Sequence, residues 1–265
     1  MLLRLTALLC ILVPSANLHA DIIPAGLVFG GQYEFDTSSG ASPFASQSGS
    51  IFSRVAGVDS TTVFSDGAVV SGVNPLSAVF TMHGGGVVGT GDGFGGTSLA
   101  QATLGGVFRT DTDQTTVPFV VINASATAYR ISMSLTYDHT VSTTGSDTGV
   151  RSDIEVNRDG NALIAREIMS DTFVGNNVNG VDVAGFGGVV SDSGLVVYEF
   201  VLPSGGSTAF DLDFTTENGL VVDDAITSSQ SSYFFSIDNV QAVPEPGCLL
   251  LLSLTASCAA FRRRA

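Results

Sequence analysis

The chain has 265 residues, a formal net charge of −15, no lysine and no tryptophan. An acidic surface of this kind repels nucleic acid and anionic membrane surfaces, so neither is expected as a partner of the soluble part. All three cysteines (Cys10, Cys248 and Cys258) lie near the ends, so the intervening stretch has to hold together without disulfides.

In chain order, Met1–Ala20 carries one early arginine, Arg4, then an apolar run from Leu5 to Val13 that breaks at Pro14. That is the layout of a secretory signal peptide, with cleavage expected between Ala20 and Asp21. Signal peptidase and the secretion machinery are the implied partners. Leu9 precedes Cys10, where a lipoprotein acceptor needs a small residue, so a lipid anchor is set aside. Residues 21–242 then form the exported body. It holds six arginines against 24 acidic residues. The plain meaning of that excess is solubility; the sharper one is attraction of divalent cations or of a cationic matrix.

Gly, Ser, Thr, Asp and Val dominate the body, and no long stretch shows helical periodicity. Tyr129–Tyr137 alternates apolar odd positions with polar even ones, which marks a strand with one buried and one wet face. Phe210–Phe214 and Asp153–Asn157 repeat the pattern. Asp159-Gly160 supplies the positive φ of a two-residue hairpin turn into the strand 163–168, a register that sets Asp153 opposite Arg166 and Val156 opposite Leu163. Further strands are predicted over 26–35, 50–56, 61–64, 68–73, 76–83, 98–108, 117–122, 181–190, 194–202, 218–223 and 232–242. Residues 37–50 and the glycine-rich 83–97 are predicted as loops. Short strands at regular spacing predict an all-β body, an antiparallel β-sandwich or jelly roll, with a β-solenoid as the alternative.

The motifs in the body are weak. Gly91-Asp-Gly93-Phe-Gly95-Gly96 fits G-x-G-x-x-G, but neither the strand before it nor the helix after it that a dinucleotide site needs is visible. Glu155-x-Asn157-x-Asp159-Gly160 has the start of a calcium loop, yet Arg166 stands where a bidentate carboxylate belongs. Asp111/Asp113, Asp211/Asp213 and Asp223/Asp224 are oxygen pairs that leave room for one structural Ca²⁺ without assigning its ligands; otherwise no cofactor is expected. His83 and His139 are the body's only histidines, and Asp138 and His139, adjacent on a strand, point to opposite faces. With tryptophan absent, Tyr33, Tyr129, Tyr137, Tyr198 and Tyr233 are the residues left to stack on a sugar ring.

The end of the chain is more specific. Val243-Pro244-Glu245-Pro246 cannot continue a strand or enter a helix. From Gly247 to Phe261 nothing is charged, and Arg262, Arg263 and Arg264 follow. An apolar helix over 247–261 spans about 22 Å, and the arginines lengthen its reach and keep that flank cytoplasmic. Motif, helix and basic tail in this order resemble the PEP-CTERM sorting signal of exported bacterial proteins, a likeness confined to about residues 243–265. The resemblance implies recognition and cleavage by an exosortase, an integral-membrane peptidase of bacteria that make exopolysaccharide. It also implies an inner-membrane intermediate before release to the cell surface or matrix. Ile237-Asp-Asn-Val240, just ahead of the signal, resembles the closing strand of exported jelly-roll domains, some of them carbohydrate-binding.

The expectation is a non-enzymatic exported surface or matrix protein. A module that binds exopolysaccharide or another glycan is the alternative, and a secreted polysaccharide hydrolase or esterase comes third.

Overall fold

The computed structural model describes residues 23–37, 45–65, 70–73, 83–84, 88–103, 109–220 and 225–244. Ala20, Asp21, Asp223, Asp224, Glu245, Pro246, the helix expected over 247–261 and Arg262–Arg264 lie outside them. Of His83, Asp111 and Asp113 the backbone alone is described.

Sixteen strands and no helix make up the described residues. They run β1 (Leu27–Gly31), β2 (Tyr33–Thr37), β3 (Ala45–Val55), β4 (Val58–Ser65), β5 (Val70–Val73), β6 (His83–Gly84), β7 (Gly93–Thr103) and β8 (Arg109–Asn123). Then come β9 (Tyr129–Thr144), β10 (Gly149–Arg158), β11 (Asn161–Asp171), β12 (Asn176–Val178), β13 (Val181–Val183), β14 (Gly188–Leu202), β15 (Ser207–Leu220) and β16 (Ile226–Ala242). All pairings are antiparallel, in two sheets that face each other as a β-sandwich.

The small sheet has the order β14-β9-β16-β7-β3-β4. The large one runs β13-β12-β11-β10-β15-β8-β1-β6, with β2 also on β8 and β5 on β2. Eight strands form the centre: β7, β8, β9, β10, β11, β14, β15 and β16. Counted along the chain, the first, eighth, third and sixth of them lie side by side in the small sheet. The second, seventh, fourth and fifth do so in the large sheet. Consecutive strands β7 through β10 therefore alternate between sheets, as do β14 through β16, and each crossing closes the sandwich.

Alternation decides which side chains fill it. Odd residues of β9 from Tyr129 to Val141 are buried, as the sequence pattern predicts. Phe210, Leu212 and Phe214 of β15 face them from the large sheet, and Phe235 and Ile237 of β16 lie beside them in the small one. Phe235 lies 5.6–6.0 Å, ring to ring, from Phe94, Phe119, Tyr198 and Phe210. Such tilted and edge-on pairs each add roughly 0.5–1.5 kcal/mol to the burial of the rings themselves. A smaller apolar cluster of Val141, Val150, Ile168 and Val190 fills the other end.

Several sequence expectations are corrected. The stretch 83–97, read as a glycine loop, becomes strand from Gly93 onward, and β3 begins at Ala45, inside the expected loop 37–50. Glycine is required in β7 because its neighbours come too close for a side chain. A Cβ on Gly95 would lie 2.2 Å from the Tyr233 carbonyl oxygen and 2.3 Å from the Phe52 ring. One on Gly96 would lie 2.2 Å from the Tyr33 hydroxyl. Asp92, just before the strand, is 1% exposed and accepts hydrogen bonds from the N–H groups of Ala56, Gly57 and Gly89. It thereby ties the β3–β4 turn to β7. The segment 181–190 splits between β13 and β14 around four residues of bends.

The Asp159-Gly160 turn forms with φ of 49° and 75°, as expected. Its register does not hold, because a bulge beyond Asn157 sets Val156 against Ile164 and Asp153 against Glu167. Arg151 compensates, bridging Asp153 and Glu167 at 3.0 Å each. Desolvation and the facing acids still raise the pKa of Asp153 above the ordinary carboxylate value.

Truncating the central ring tests the core. Phe235→Ala should cost about 3–5 kcal/mol in urea unfolding. Phe173→Ala, at a side chain 74% exposed, should stay within about 0.5 kcal/mol of the parent chain.

Candidate binding face

The outer face of the small sheet carries a row of residues in lateral register: Phe52 on β3, Gly95 on β7, Phe234 on β16, Thr136 on β9 and Leu195 on β14. Because Gly95 has no side chain, the rings of Phe52 and Phe234 meet over it, stacked at 5.6 Å and 14°. On one side runs a polar row of Ser50, Thr97, Ser232, Asp138 and Ser193. The Ser50 and Thr97 hydroxyls are hydrogen-bonded at 2.8 Å. On the other side the Arg54 guanidinium lies 5.6 Å from the Phe234 ring centre and pairs with Asp59 at 2.7 Å. That partner holds the exposed Asp59 carboxyl below its usual range. Beyond Gly93 in the Arg54 row, the hydroxyls of Ser134 and Ser236 both donate to Asp238 Oδ1, at 2.9 and 3.0 Å.

A groove of ≈ 450 Å³ runs along these rows, floored by Phe234, Thr136 and Gly194 and flanked by Asp138, Ser232 and Ser193. It combines a flat apolar strip with hydroxyl and carboxylate groups on one edge. This is the arrangement that suits a ligand with apolar C–H faces and polar rims. A second hollow of similar size lies at the far end of the sandwich by Gly149, Met169 and Phe173. Its wall at Asn218 and Gly219 leads into 221–224, outside the described residues.

The sequence pointed to other residues. All five tyrosines are buried, none more than 7% exposed, so none offers a sugar platform. The expectation fails because each sits at an inward position of its strand. Tyr33 and Tyr233, from opposite sheets, hydrogen-bond hydroxyl to hydroxyl, and burial pushes both pKa values up. Tyr198 is pushed up to about 12. Signals for the real aromatic pair were present. Phe234 and Phe235 are adjacent in a strand, so one of them had to face out.

Asp211 and Asp213 sit half-buried on the large sheet, across from Asn157 and Glu155. Among the described residues no three His, Cys, Asp or Glu side chains converge as a cation site. Asp159 spends its carboxylate on Thr208 Oγ1 and Ala209 N, which keeps its pKa low. Arg166 turns to donate to the Tyr137 hydroxyl at 3.1 Å. The run from Glu155 to Gly160 is a hairpin.

Asp138 and His139 do point apart, with Asp138 exposed and His139 fully buried. Inside, His139 Nε2 lies 3.7 Å from Asp192 Oδ2, and neither ring nitrogen makes a hydrogen bond. Asp192 is occupied by Asn179 at 3.1 Å and the Tyr137 hydroxyl at 3.3 Å. Desolvation lowers the pKa of His139, opposed in part by Asp192 and Asp138.

Comparison with known proteins adds little. No protein-family model and no curated protein matches the chain. Solved structures of infectious bursal disease virus, the Gx and Gt strains, align at 12% identity over 90% and 92% of this chain and 72% and 75% of theirs. Their TM-scores are 0.16 and 0.17, too low to carry any argument about fold or function.

The depressed pKa of His139 fixes a sign. The folded state keeps the ring neutral where the unfolded chain, with a pKa of about 6.5, binds a proton. Its stability contribution is complete above about pH 6.5 and is lost as pH falls below that value. The melting temperature should drop between pH 7.5 and 5.5, and His139→Phe should flatten that drop; equal slopes would refute the assignment.

Proposed function

We propose that this chain is an exported bacterial surface or matrix protein, delivered by a C-terminal sorting signal and acting through binding, not catalysis. The observation that carries the reading is the tail in sequence: Pro-Glu-Pro, fifteen uncharged residues from Gly247 to Phe261, then three arginines. A signal peptide at the other end, with cleavage between Ala20 and Asp21, completes the export architecture. An exosortase-type membrane peptidase is the proposed processing partner, with the apolar helix holding the intermediate in the inner membrane.

The geometry at the end of β16 is compatible with that use. Val243 N donates to Ala128 O at 2.8 Å, and Pro244, the next residue, is exposed. The sandwich therefore finishes where the motif starts. The β-sandwich is the cargo, and the strand order of its eight central members supports reading it as a jelly roll.

Sorting is tested by mass. In the native host, mature protein should lack Arg262–Arg264, and replacing Glu245 or the three arginines with alanine should leave a longer, membrane-retained form. Identical masses and fractionation for parent and variants would reject the proposal.

A second reading, glycan binding, rests on the Phe52–Phe234 pair and its flanking Ser, Thr and Asp rows. The stacked rings would take the C–H face of a pyranose, and Asp138, Ser232 and Ser193 its hydroxyls. Exopolysaccharide of the producing cell is the proposed ligand class. On a glycan array the protein should bind at least one polysaccharide, with Phe52→Ala plus Phe234→Ala weakening it at least tenfold, ~1.4 kcal/mol. A blank array, with and without Ca²⁺, would end this reading and leave the first intact.

A further inference from the structure

Among the described residues the two sheets end in five strands, β13, β6 and β5 in the large one and β4 and β14 in the small one. In the large sheet β13, β6 and β5 have three, two and four described residues, and edges of that length offer little to pair with. At one end of the small sheet, β4 has eight residues, and its exposed Val58 and Val63 are separated by Asp59, Ser60, Thr61 and Thr62, so no continuous apolar strip forms there. The other end is β14, fifteen residues long, and among the described residues it pairs with β9 alone.

β14 lacks the usual protection of an edge strand. It has no proline and no lysine, and its outward side chains from Ser193 to Val201 are Ser193, Leu195, Val197, Glu199 and Val201. Leu195, Val197 and Val201 are 64%, 59% and 49% exposed. The single charge among the five, Glu199, is matched by Arg130 of β9 at 3.3 Å. The upper part of the strand is approached by the β12–β13 hairpin, where Asn179 reaches Asp192 and Asn176 reaches the Gly187 carbonyl. Gly194–Leu202 has no strand partner other than β9 among the described residues.

We propose that this edge pairs with the same edge of a second copy of the chain, joining two small sheets into one continuous antiparallel sheet. Charge selects the occupant. With a net −15 per chain, two copies repel over most of their surfaces, and a cationic partner would seek the acidic faces. A neutral apolar strip on such a protein is complementary to itself. A twofold axis at Val196 sets Leu195 against Val197 of the second copy, on both sides of the axis. It sets Glu199 against Ser193 of the second copy, so no like charges meet. Shifting the axis to Val197 would oppose Leu195 and Glu199, which is less favourable.

The join would also extend the outer face. The row from Phe52 to Leu195 ends at β14, so it would run on into its copy. Phe234 is two strands in from the edge, which separates the two aromatic pairs by about five strand spacings, or about 24 Å. The proposal does not depend on the sorting or glycan readings.

Sedimentation of the full chain in density-matched detergent tests it. The parent should run as a dimer of the 27.2 kDa chain. Leu195→Lys with Val197→Lys should give a monomer with unchanged circular dichroism, and Val58→Lys with Val63→Lys on β4 should leave the dimer. A monomeric parent, a dimeric β14 variant, or loss of the dimer in both variants would overturn the proposal. Should the β14 variant fail to fold, amide exchange of the unsubstituted chain decides. Exchange over 194–202 should slow as protein concentration rises, and concentration-independent rates would overturn it.

Discussion

The packing of Phe235 between the two sheets is the contact on which the rest depends. Its ring meets Phe94 and Tyr198 from its own sheet and Phe119 and Phe210 from the other. β16 can present that ring only because it is paired along most of its length on both sides, with β7 and with β9. Close pairing with β7 in turn requires Gly93, Gly95 and Gly96, since a Cβ on any of them would fall within about 2.2 Å of an atom already there. A composition that looks like loop is thus a condition of the core. Without disulfides in the body, burial of this kind and backbone pairing are what offset chain entropy.

The same constraint builds the outer face. In a strand the residue next to an inward ring points outward, so anchoring Phe235 inside places Phe234 outside. Gly95, forced by close approach to the Tyr233 carbonyl, removes the side chain that would have separated Phe234 from Phe52. The aromatic pair is therefore a by-product of core packing that function can use. Its flanking polar rows follow from Ser and Thr at alternate positions of β3, β9 and β16.

What the sequence made legible follows from this. Period-two alternation in β9 and β15 carried the all-β fold, because burial on one face leaves its mark every second residue. The hairpin turn was legible too, since Asp159 and Gly160 are residue types that adopt positive φ. Its register was not, because a bulge costs one residue and leaves no signature in composition. β7 was missed because glycine reports freedom in isolation and close contact in a sheet, and only the neighbours tell which. The tyrosines misled for a related reason: they were the aromatic residues left once tryptophan was absent, and residue type does not tell which face of a strand a ring takes, while Tyr33 and Tyr233 satisfy each other inside. Asp92 was hidden in a motif associated with phosphate, although its carboxylate serves three backbone amides.

The fold also limits the sorting proposal. β16 lies between β7 and β9, and its last residue, Ala242, still pairs with Tyr129. A cut inside this strand would remove pairing from a central position, exposing backbone groups and unseating the final residues that close the small sheet. The Val243 N–H bond to Ala128 is the last tie to the body. A peptidase acting on the tail can therefore release a folded sandwich only by cutting beyond that bond, at or after the Pro-Glu-Pro motif. Proline serves both sides of the boundary. Pro244 has no N–H to donate to a ladder, so the pairing of β16 does not continue through it. On the sorting proposal, the proline that opens the motif is thus also the residue that bounds the strand before it.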